Sequence, residues 1–195
     1  MIAELAARLH TQTSLEGVVE TTLDDTLSLT NVSYGTVRLL DETGGLMLVA
    51  QRGFDQYHAL SMRRLTVAGT SASGRAVLRR RIVVIENAEL DERYAPFSDF
   101  GRLAHFTGVA SVPLITHADI TVGTITMFLP QFMFLTNVNM RMLETYSRIA
   151  ADRIWTMRGP GPISQRAQAL YMRVYEKHGR SPYRNDRNGL GHFAF

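Results

Sequence analysis

The residues best suited to binding an anion lie in the segment GTSASGRAV, residues 69–77. Serine hydroxyls at 71 and 73 can cap the start of a helix. Free backbone amides at that start, together with the Arg75 guanidinium, can hold a carboxylate or phosphate. Serine and threonine also cap helices when no ligand is present. Arg75 is therefore a candidate ligand contact, and capping without a ligand is the more ordinary alternative.

Three further polar candidates lie inside β-branched runs: Arg38, Ser111 and Thr126. If Arg38 were buried it would need an acidic partner or an anionic ligand. The sequence favours the simpler arrangement, in which Arg38 faces solvent or extends from a sheet edge. Ser111 and Thr126 can place hydroxyls on the floor of a pocket, but such residues are also common in ordinary strands.

Metal-binding and catalytic patterns are missing from the sequence. The six histidines do not have the spacing of metal ligands, and no cysteine is available to join them. The sequence contains no Gly-x-Ser-x-Gly, no P-loop and no convincingly placed pair of carboxylates. We therefore expect neither an enzyme, nor a metal site, nor a resident cofactor.

The composition is that of a globular protein. Of 195 residues, 45% are hydrophobic and 20% are charged, which is enough apolar material for a core. The chain has no apolar run near the ~20 residues of a membrane helix, and Glu4 within the first apolar residues does not fit a signal peptide. The absence of cysteine excludes disulfides, thiol nucleophiles and thioether-linked cofactors. We expect a cytoplasmic protein that does not contact a membrane.

The net charge of +3 is unevenly distributed. Residues 158–195 contain seven of the 21 Lys and Arg but two of the 18 Asp and Glu, whereas residues 1–157 are slightly acidic. We predict a domain over 1–157 and a basic extension over 158–195, with a weak helix and then disorder. Tyrosines interleave with arginines in this extension, as in some RNA-binding segments. A solvated tail is the favoured interpretation, and nucleic acid is not an expected partner.

The hydrophobic pattern predicts helices at both ends of the domain and β-hairpins between them. The predicted helices are residues 2–9, 15–27, 54–62, 70–79 and 137–157. The predicted strands are residues 36–40, 46–51, 82–85, 109–115 and 120–129. Thr13 and Glu16 have the spacing of a capping box before the second helix. Pro113 predicts an edge or a bulge in its strand.

In this order, the segments resemble a GAF domain, a sensory module related to PAS domains, over residues 13–157. The matching segments are YGTVRLLDETGGLMLVAQRG, GTSASGRAVLRRRIVVIENAELDERY and GVASVPLITHADITVGTITMFLP, followed by a long helix. The resemblance implies an α+β fold with a central antiparallel sheet of five to six strands and helices on both faces. It places the first and last helices on one face and a small-molecule pocket on the other, roofed by residues 54–80 and 86–107.

The resemblance also gives a role to the aromatic insert within residues 86–107. The candidates in it are Tyr94, Phe97, Phe100 and His105. In GAF domains this region covers a ligand; the alternative is a small second core, in which Phe97, Phe100 and Phe106 fill the pocket. A few GAF sensors bind haem through a histidine, and His105 is the residue placed for that here. The enzymatic branch, the free-methionine sulfoxide reductases, depends on cysteine, as covalent bilin attachment usually does, so this chain is expected to do neither.

Two functions follow from the resemblance. The first is a regulatory module that senses an unidentified small molecule and acts in trans, since the 38 remaining residues hold no output domain. Its expected partner is a signalling protein such as a histidine kinase or a transcription regulator. The second is a ligand-free interaction module, in which two copies form a homodimer through their terminal helices.

Overall fold

The computed structural model describes residues 1–54, 63–67, 69–94, 97, 106–130 and 133–159. The helices are α1 (Ile2–Thr11), α2 (Leu15–Thr30), α3 (Ala72–Arg79) and α4 (Asn137–Arg158). The strands are β1 (Tyr34–Leu40), β2 (Gly45–Arg52), β3 (Arg64–Thr66), β4 (Val83–Ile85), β5 (Gly108–Ile115) and β6 (Thr121–Leu129).

All six strands join one antiparallel sheet in the order β3-β2-β1-β6-β5-β4. The two predicted hairpins, β1–β2 and β5–β6, lie side by side because β1 pairs with β6. The short strands β3 and β4 extend the sheet at its two edges. This confirms the predicted α+β class and strand number, although β3 was not predicted.

The proline in β5 lies where the strand has an open edge. β4 pairs only with Val109–Ser111, so Pro113 lies beyond the end of that pairing. Pro113 has no N–H to offer an additional strand. The expectation of an edge at this proline is therefore confirmed.

One face of the sheet carries α1, α2 and α4 over the main hydrophobic core. Leu23 of α2 and Tyr146 and Ile154 of α4 are fully buried there with Val37 of β1 and Ile125 of β6. The apolar stripe of the last helix is thus largely used within the chain. This confirms the expected position of the first and last helices.

The start of α2 corrects one prediction. Its N-cap is Ser14, whose hydroxyl accepts a hydrogen bond of 3.0 Å from the Gly17 N–H. The capping box predicted at Thr13 is therefore wrong by one residue. A capping box does occur at α4, where Thr136 and Asn139 exchange side-chain and backbone hydrogen bonds.

The opposite face of the sheet carries α3, which packs across β5 and β6. Ser71 is its N-cap and accepts a hydrogen bond of 3.0 Å from the Gly74 N–H. A second cluster of buried apolar residues lies beneath α3, including Ala76, Phe106 and Phe128. The helix predicted over residues 70–79 is therefore confirmed, with its first turn beginning at Ala72.

Several predictions fall on residues outside the described ranges. They are the helix predicted over residues 54–62, beyond Phe54 itself, the roles of Phe100 and His105, and the extension after residue 159. The predicted domain boundary between residues 157 and 158 stays a prediction. Within the described ranges, no helix is both long and apolar enough to cross a bilayer.

Candidate ligand-binding site

A group of buried polar side chains lies on the α3 face of the sheet. Because Val37 and Ile125 pack toward α2 and α4, the alternating positions next to them face the other way. These alternating positions in the central strands are Thr36, Arg38, Ser111, Thr124 and Thr126, all buried. We call these five residues the polar floor.

A chain of hydroxyls connects the polar floor to α3. The Thr126 hydroxyl lies 2.8 Å from that of Ser73 in α3 and 3.0 Å from that of Ser111 in β5. All three residues are at most 3% exposed. The N-terminal turn of α3 is thereby held against the middle of the sheet by polar contacts.

The strand register places the remaining hydroxyls beside this chain. Thr126 is paired with Thr36 on β1 and with Ser111 on β5, and Thr124 is paired with Arg38. The Oγ1 atoms of Thr36 and Thr124 are buried and have no hydrogen-bond partner in the part of the chain that the structure describes. Buried hydroxyls are ordinarily satisfied, so these two indicate a place where a partner can be added.

Arg38 is buried rather than exposed. It is 2% exposed because β1 lies between β2 and β6, away from either edge of the sheet. The expectation that Arg38 faces solvent or a sheet edge is therefore wrong. Desolvation lowers the pKa of its guanidinium to about 10, and Tyr94 opposes this change, so the group stays charged at neutral pH.

Arg75 is buried in an ion pair. Its Nη1 and Nη2 donate to the two carboxylate oxygens of Asp91 at 2.6 and 2.7 Å, and Nε donates to the Gly69 carbonyl. Nη2 also donates to the carbonyl of Thr70. The Arg75 guanidinium lowers the pKa of Asp91 to about 2. Arg75 thus clamps the segment around Asp91 onto the turn before α3, and its proposed contact with a ligand stays a prediction.

Tyr94 lies close enough to both arginines to feel their charges. It is 4% exposed, and burial raises the pKa of its hydroxyl, while the charges of Arg38 and Arg75 oppose that rise. Its ring lies 5.2 Å from that of Phe97, measured between centroids. The aromatic segment is therefore placed next to the polar floor.

Other aromatic rings pack at one end of this face. The Phe128 ring of β6 lies 4.8 Å from that of Phe106 and 4.9 Å from that of Phe54. Phe106 and Phe128 are both buried. These rings belong to the second apolar cluster, which lies on the same face of the sheet as the polar floor.

Six of the eight residues predicted for the site are described, and all six contribute to this face. They are Arg38, Arg75, Tyr94, Phe97, Ser111 and Thr126. The sequence analysis gave Ser73 only a capping role, whereas its hydroxyl contacts Thr126, and it missed Thr36 and Thr124. The alternation of polar and apolar residues in TVR and TIT was the signal for the two threonines, since a strand turns alternate side chains to one face. Within the described ranges, no group of acidic or histidine side chains could hold a metal ion.

Comparisons with known proteins agree with this architecture. A family model described as "GAF domain" matches residues 12–154. The GAF domain of a phosphoenolpyruvate-protein phosphotransferase from Acinetobacter has a TM-score of 0.67 at 17% identity, over 80% of this chain and 90% of that chain. No curated protein matches significantly.

Two other solved structures share the fold. The free methionine-R-sulfoxide reductase from Neisseria meningitidis, in complex with its substrate, has a TM-score of 0.66 at 13% identity, over 80% of this chain and 87% of that one. A bacteriophytochrome from R. palustris has a TM-score of 0.62 at 11% identity, over 93% of this chain and 43% of the other. Since the family model covers most of the described domain, this chain belongs to the GAF domain family, whose members are sensory and regulatory modules in signalling.

Proposed function

We propose that this domain senses a small polar molecule held between the polar floor and the cover formed by α3 and the segment around Tyr94. The observation that carries the proposal is the pair of buried hydroxyls of Thr36 and Thr124, which have no hydrogen-bond partner within the described residues. A buried hydroxyl without a partner costs about 1–3 kcal/mol. A valine would fill the same volume without that cost, so a bound polar group is a physical reason for threonine.

The strand geometry indicates what such a molecule must present. Thr36 and Thr124 are diagonal neighbours on adjacent antiparallel strands, because Thr36 is paired with Thr126. Diagonal side chains of this kind are about 7 Å apart. The ligand would therefore carry two hydrogen-bonding groups at about that separation.

A ligand at this position would also affect the position of α3. Ser73 links α3 to Thr126, which lies between Thr36 and Ser111 on the floor. If α3 can occupy two positions on the sheet, a molecule that binds one of them more tightly shifts the equilibrium toward that position. The size of the shift is set by the difference between the two affinities. The response would reach the neighbouring protein surface through α3 and the segment clamped by Arg75.

Two threonine-to-valine substitutions test the proposal. The native protein is screened by native mass spectrometry for a retained molecule and by thermal shift against metabolites and nucleotides. Thr36→Val and Thr124→Val are expected to fold normally and to lose the ligand-induced shift. Thr26→Val is the matched control, because Thr26 is equally buried but lies in α2 on the other face. A folded native protein that retains and binds nothing across the panel would overturn the proposal.

A second candidate is a ligand-free interaction module. It is favoured by the packing of Phe106 against Phe128 and of Phe97 against Tyr94, since rings can fill the space that a ligand would need. In this case the protein would form a homodimer and the metabolite screen would be negative. Sedimentation over a wide range of concentration tests it, and a monomer throughout would exclude the dimer.

In either case the module would regulate another protein of a signalling pathway, such as a histidine kinase or a transcription regulator. Action in trans and a cytoplasmic location stay predictions. Cell fractionation, and co-purification of the chain with a named kinase or regulator from the same genome, would test them.

A further inference from the structure

A cleft of about 230 Å³ lies at the open edge of β5, apart from the polar floor. It forms where β4 stops pairing with β5 after Ser111, so that the end of β5 borders a gap between α4 and the loop after α3. Its lining is made of Arg80, Arg81, Ile82, Val112, Pro113, Ile115, Glu144, Ser147 and Arg148. None of these residues belongs to the polar floor.

The rim of the cleft carries more positive than negative charge. The Arg80 guanidinium already has partners, because it donates to the Asp119 carboxylate at 2.5 Å and to the Thr121 hydroxyl at 2.8 Å. Arg81 and Arg148 are exposed, and neither has a hydrogen bond or ion pair within the described ranges. Among the described residues of the lining, Glu144 is the one that is acidic. Two guanidinium groups, one from the loop after α3 and one from α4, are therefore available to an anion.

The floor of the cleft is apolar and cannot receive a further strand. Val112, Pro113 and Ile115 are buried members of β5. Because Pro113 has no N–H, an extended peptide could not continue the hydrogen-bond ladder there. The cleft is also smaller than the ~300–1,000 Å³ of sites for drug-sized ligands. These features fit a molecule of a few carbon atoms with a charged end.

We propose that this cleft binds a small organic anion, namely a carboxylate on a short hydrocarbon body. The carboxylate lies between Arg81 and Arg148, where guanidinium groups can donate paired hydrogen bonds to it. The hydrocarbon body lies against the β5 edge at Val112, Pro113 and Ile115. The proposal does not depend on a ligand at the polar floor.

The test compares three probes on the full chain by NMR at low salt. Pentanoate carries both the charge and the apolar body, pentanol carries the body alone, and inorganic phosphate carries the charge alone. Pentanoate is expected to shift the amide signals of Val112 and Ile115 and to bind about tenfold more tightly than either other probe. Its affinity is expected to fall as salt is added, because the contacts are partly exposed.

The matched variants are Arg81→Gln with Arg148→Gln, and Arg79→Gln as the control outside the cleft. The double variant is expected to weaken pentanoate binding about tenfold or more, whereas the control leaves it unchanged. All three positions are exposed, so the fold is retained, and circular dichroism checks this. The proposal is overturned if native protein fails to bind pentanoate, if the double variant binds it equally well, or if shifts appear only at polar-floor residues.

Discussion

The Tyr146 hydroxyl of α4 donates a hydrogen bond of 2.6 Å to Oδ2 of Asp25 in α2. Both side chains are fully buried, and Arg8 of α1 donates to the other carboxylate oxygen of Asp25. Desolvation raises the pKa of Asp25, while the hydrogen bond from Tyr146 and the charge of Arg8 oppose that rise. A single carboxylate therefore joins the three helices that cover this face of the sheet.

Removing the tyrosine hydroxyl should weaken the helix layer. Tyr146→Phe leaves the ring in place but deprives a buried carboxylate of a donor, which is expected to cost about 1–3 kcal/mol of unfolding free energy. Urea denaturation measures the change. Tyr34→Phe is the control, because the Tyr34 hydroxyl makes no hydrogen bond to any of the described residues. Equal midpoints for the two variants would contradict the role given to Tyr146.

The titration of Asp25 provides a second and independent measurement. Its pKa is raised in the folded protein, so the native state holds this proton more tightly than the unfolded chain. The stabilisation that comes from this proton is present at low pH and is lost as pH rises from ~3.8 through the raised pKa. Tyr146→Phe should raise the pKa further, because it removes a hydrogen bond to the charged form.

Carboxyl ¹³C NMR follows this titration directly. The Asp25 signal is assigned by its loss in Asp25→Asn. An Asp25 pKa at or below that of exposed aspartates, or one that falls in Tyr146→Phe, would contradict the expectation.

The ion pair between Arg75 and Asp91 predicts an opposite dependence on pH. The pKa of Asp91 is lowered to about 2 by Arg75, so its stabilisation is present above ~3.8 and is lost as pH falls toward 2. A shift of this size corresponds to on the order of 2 kcal/mol. Asp91→Asn should lower stability at pH 5 and reduce the acid dependence between pH 4 and 2, measured by urea denaturation at each pH.

A matched control for that pair is Asp119→Asn, since Asp119 is a highly exposed partner of Arg80. Exposed ion pairs contribute little, so this variant should remain close to the native protein. If Asp91→Asn retained the native acid dependence, the clamp would not stabilise the fold.

The sequence predicts the layers of this fold better than its buried polar groups. Hairpins β1–β2 and β5–β6 and helices α2, α3 and α4 follow from periodicity and turn residues that act locally. Strand β3 is three residues long, with only Leu65 partly buried, and gives no comparable signal. The N-cap shifted from Thr13 to Ser14 because both residues are capable caps and the choice depends on where the helix packs.

The position of Arg38 could not be predicted from its neighbours. A strand that contains Arg is ordinarily placed at an edge, and only the pairing of β1 with both β2 and β6 makes it interior. Likewise, the contact between Ser73 and Thr126 joins residues 53 positions apart. The sequence therefore identifies candidate site residues by their side-chain chemistry. Their hydrogen-bond partners depend on tertiary contacts, which the sequence does not reveal.

Two threonines of the polar floor differ in their hydrogen bonds: the Thr126 hydroxyl has partners, and the Thr124 hydroxyl has none among the described residues. Thr126→Val removes contacts with both Ser73 and Ser111 and leaves their buried hydroxyls with fewer partners, so it should cost about 1–3 kcal/mol. Thr124→Val removes a hydroxyl that has no partner among the described residues and should be neutral or stabilising in the ligand-free protein. Urea denaturation of the two variants side by side tests this. A larger loss at Thr124 than at Thr126 would refute the assignment of the two hydroxyls.

The junction of the two hairpins depends on a glycine. A Cβ at Gly123 of β6 would lie 2.0 Å from the Arg38 carbonyl oxygen of β1, which is backbone and cannot turn aside. Gly123→Ala must therefore push β6 away from β1 at the place where Arg38 and Thr124 are paired. We expect this to lower the free energy of unfolding by about 3 kcal/mol or more. Gly69→Ala is the control, since a Cβ there meets nothing within 4 Å. Urea denaturation measures both variants, and a Gly123→Ala protein as stable as the control would show that the two hairpins are not so closely paired.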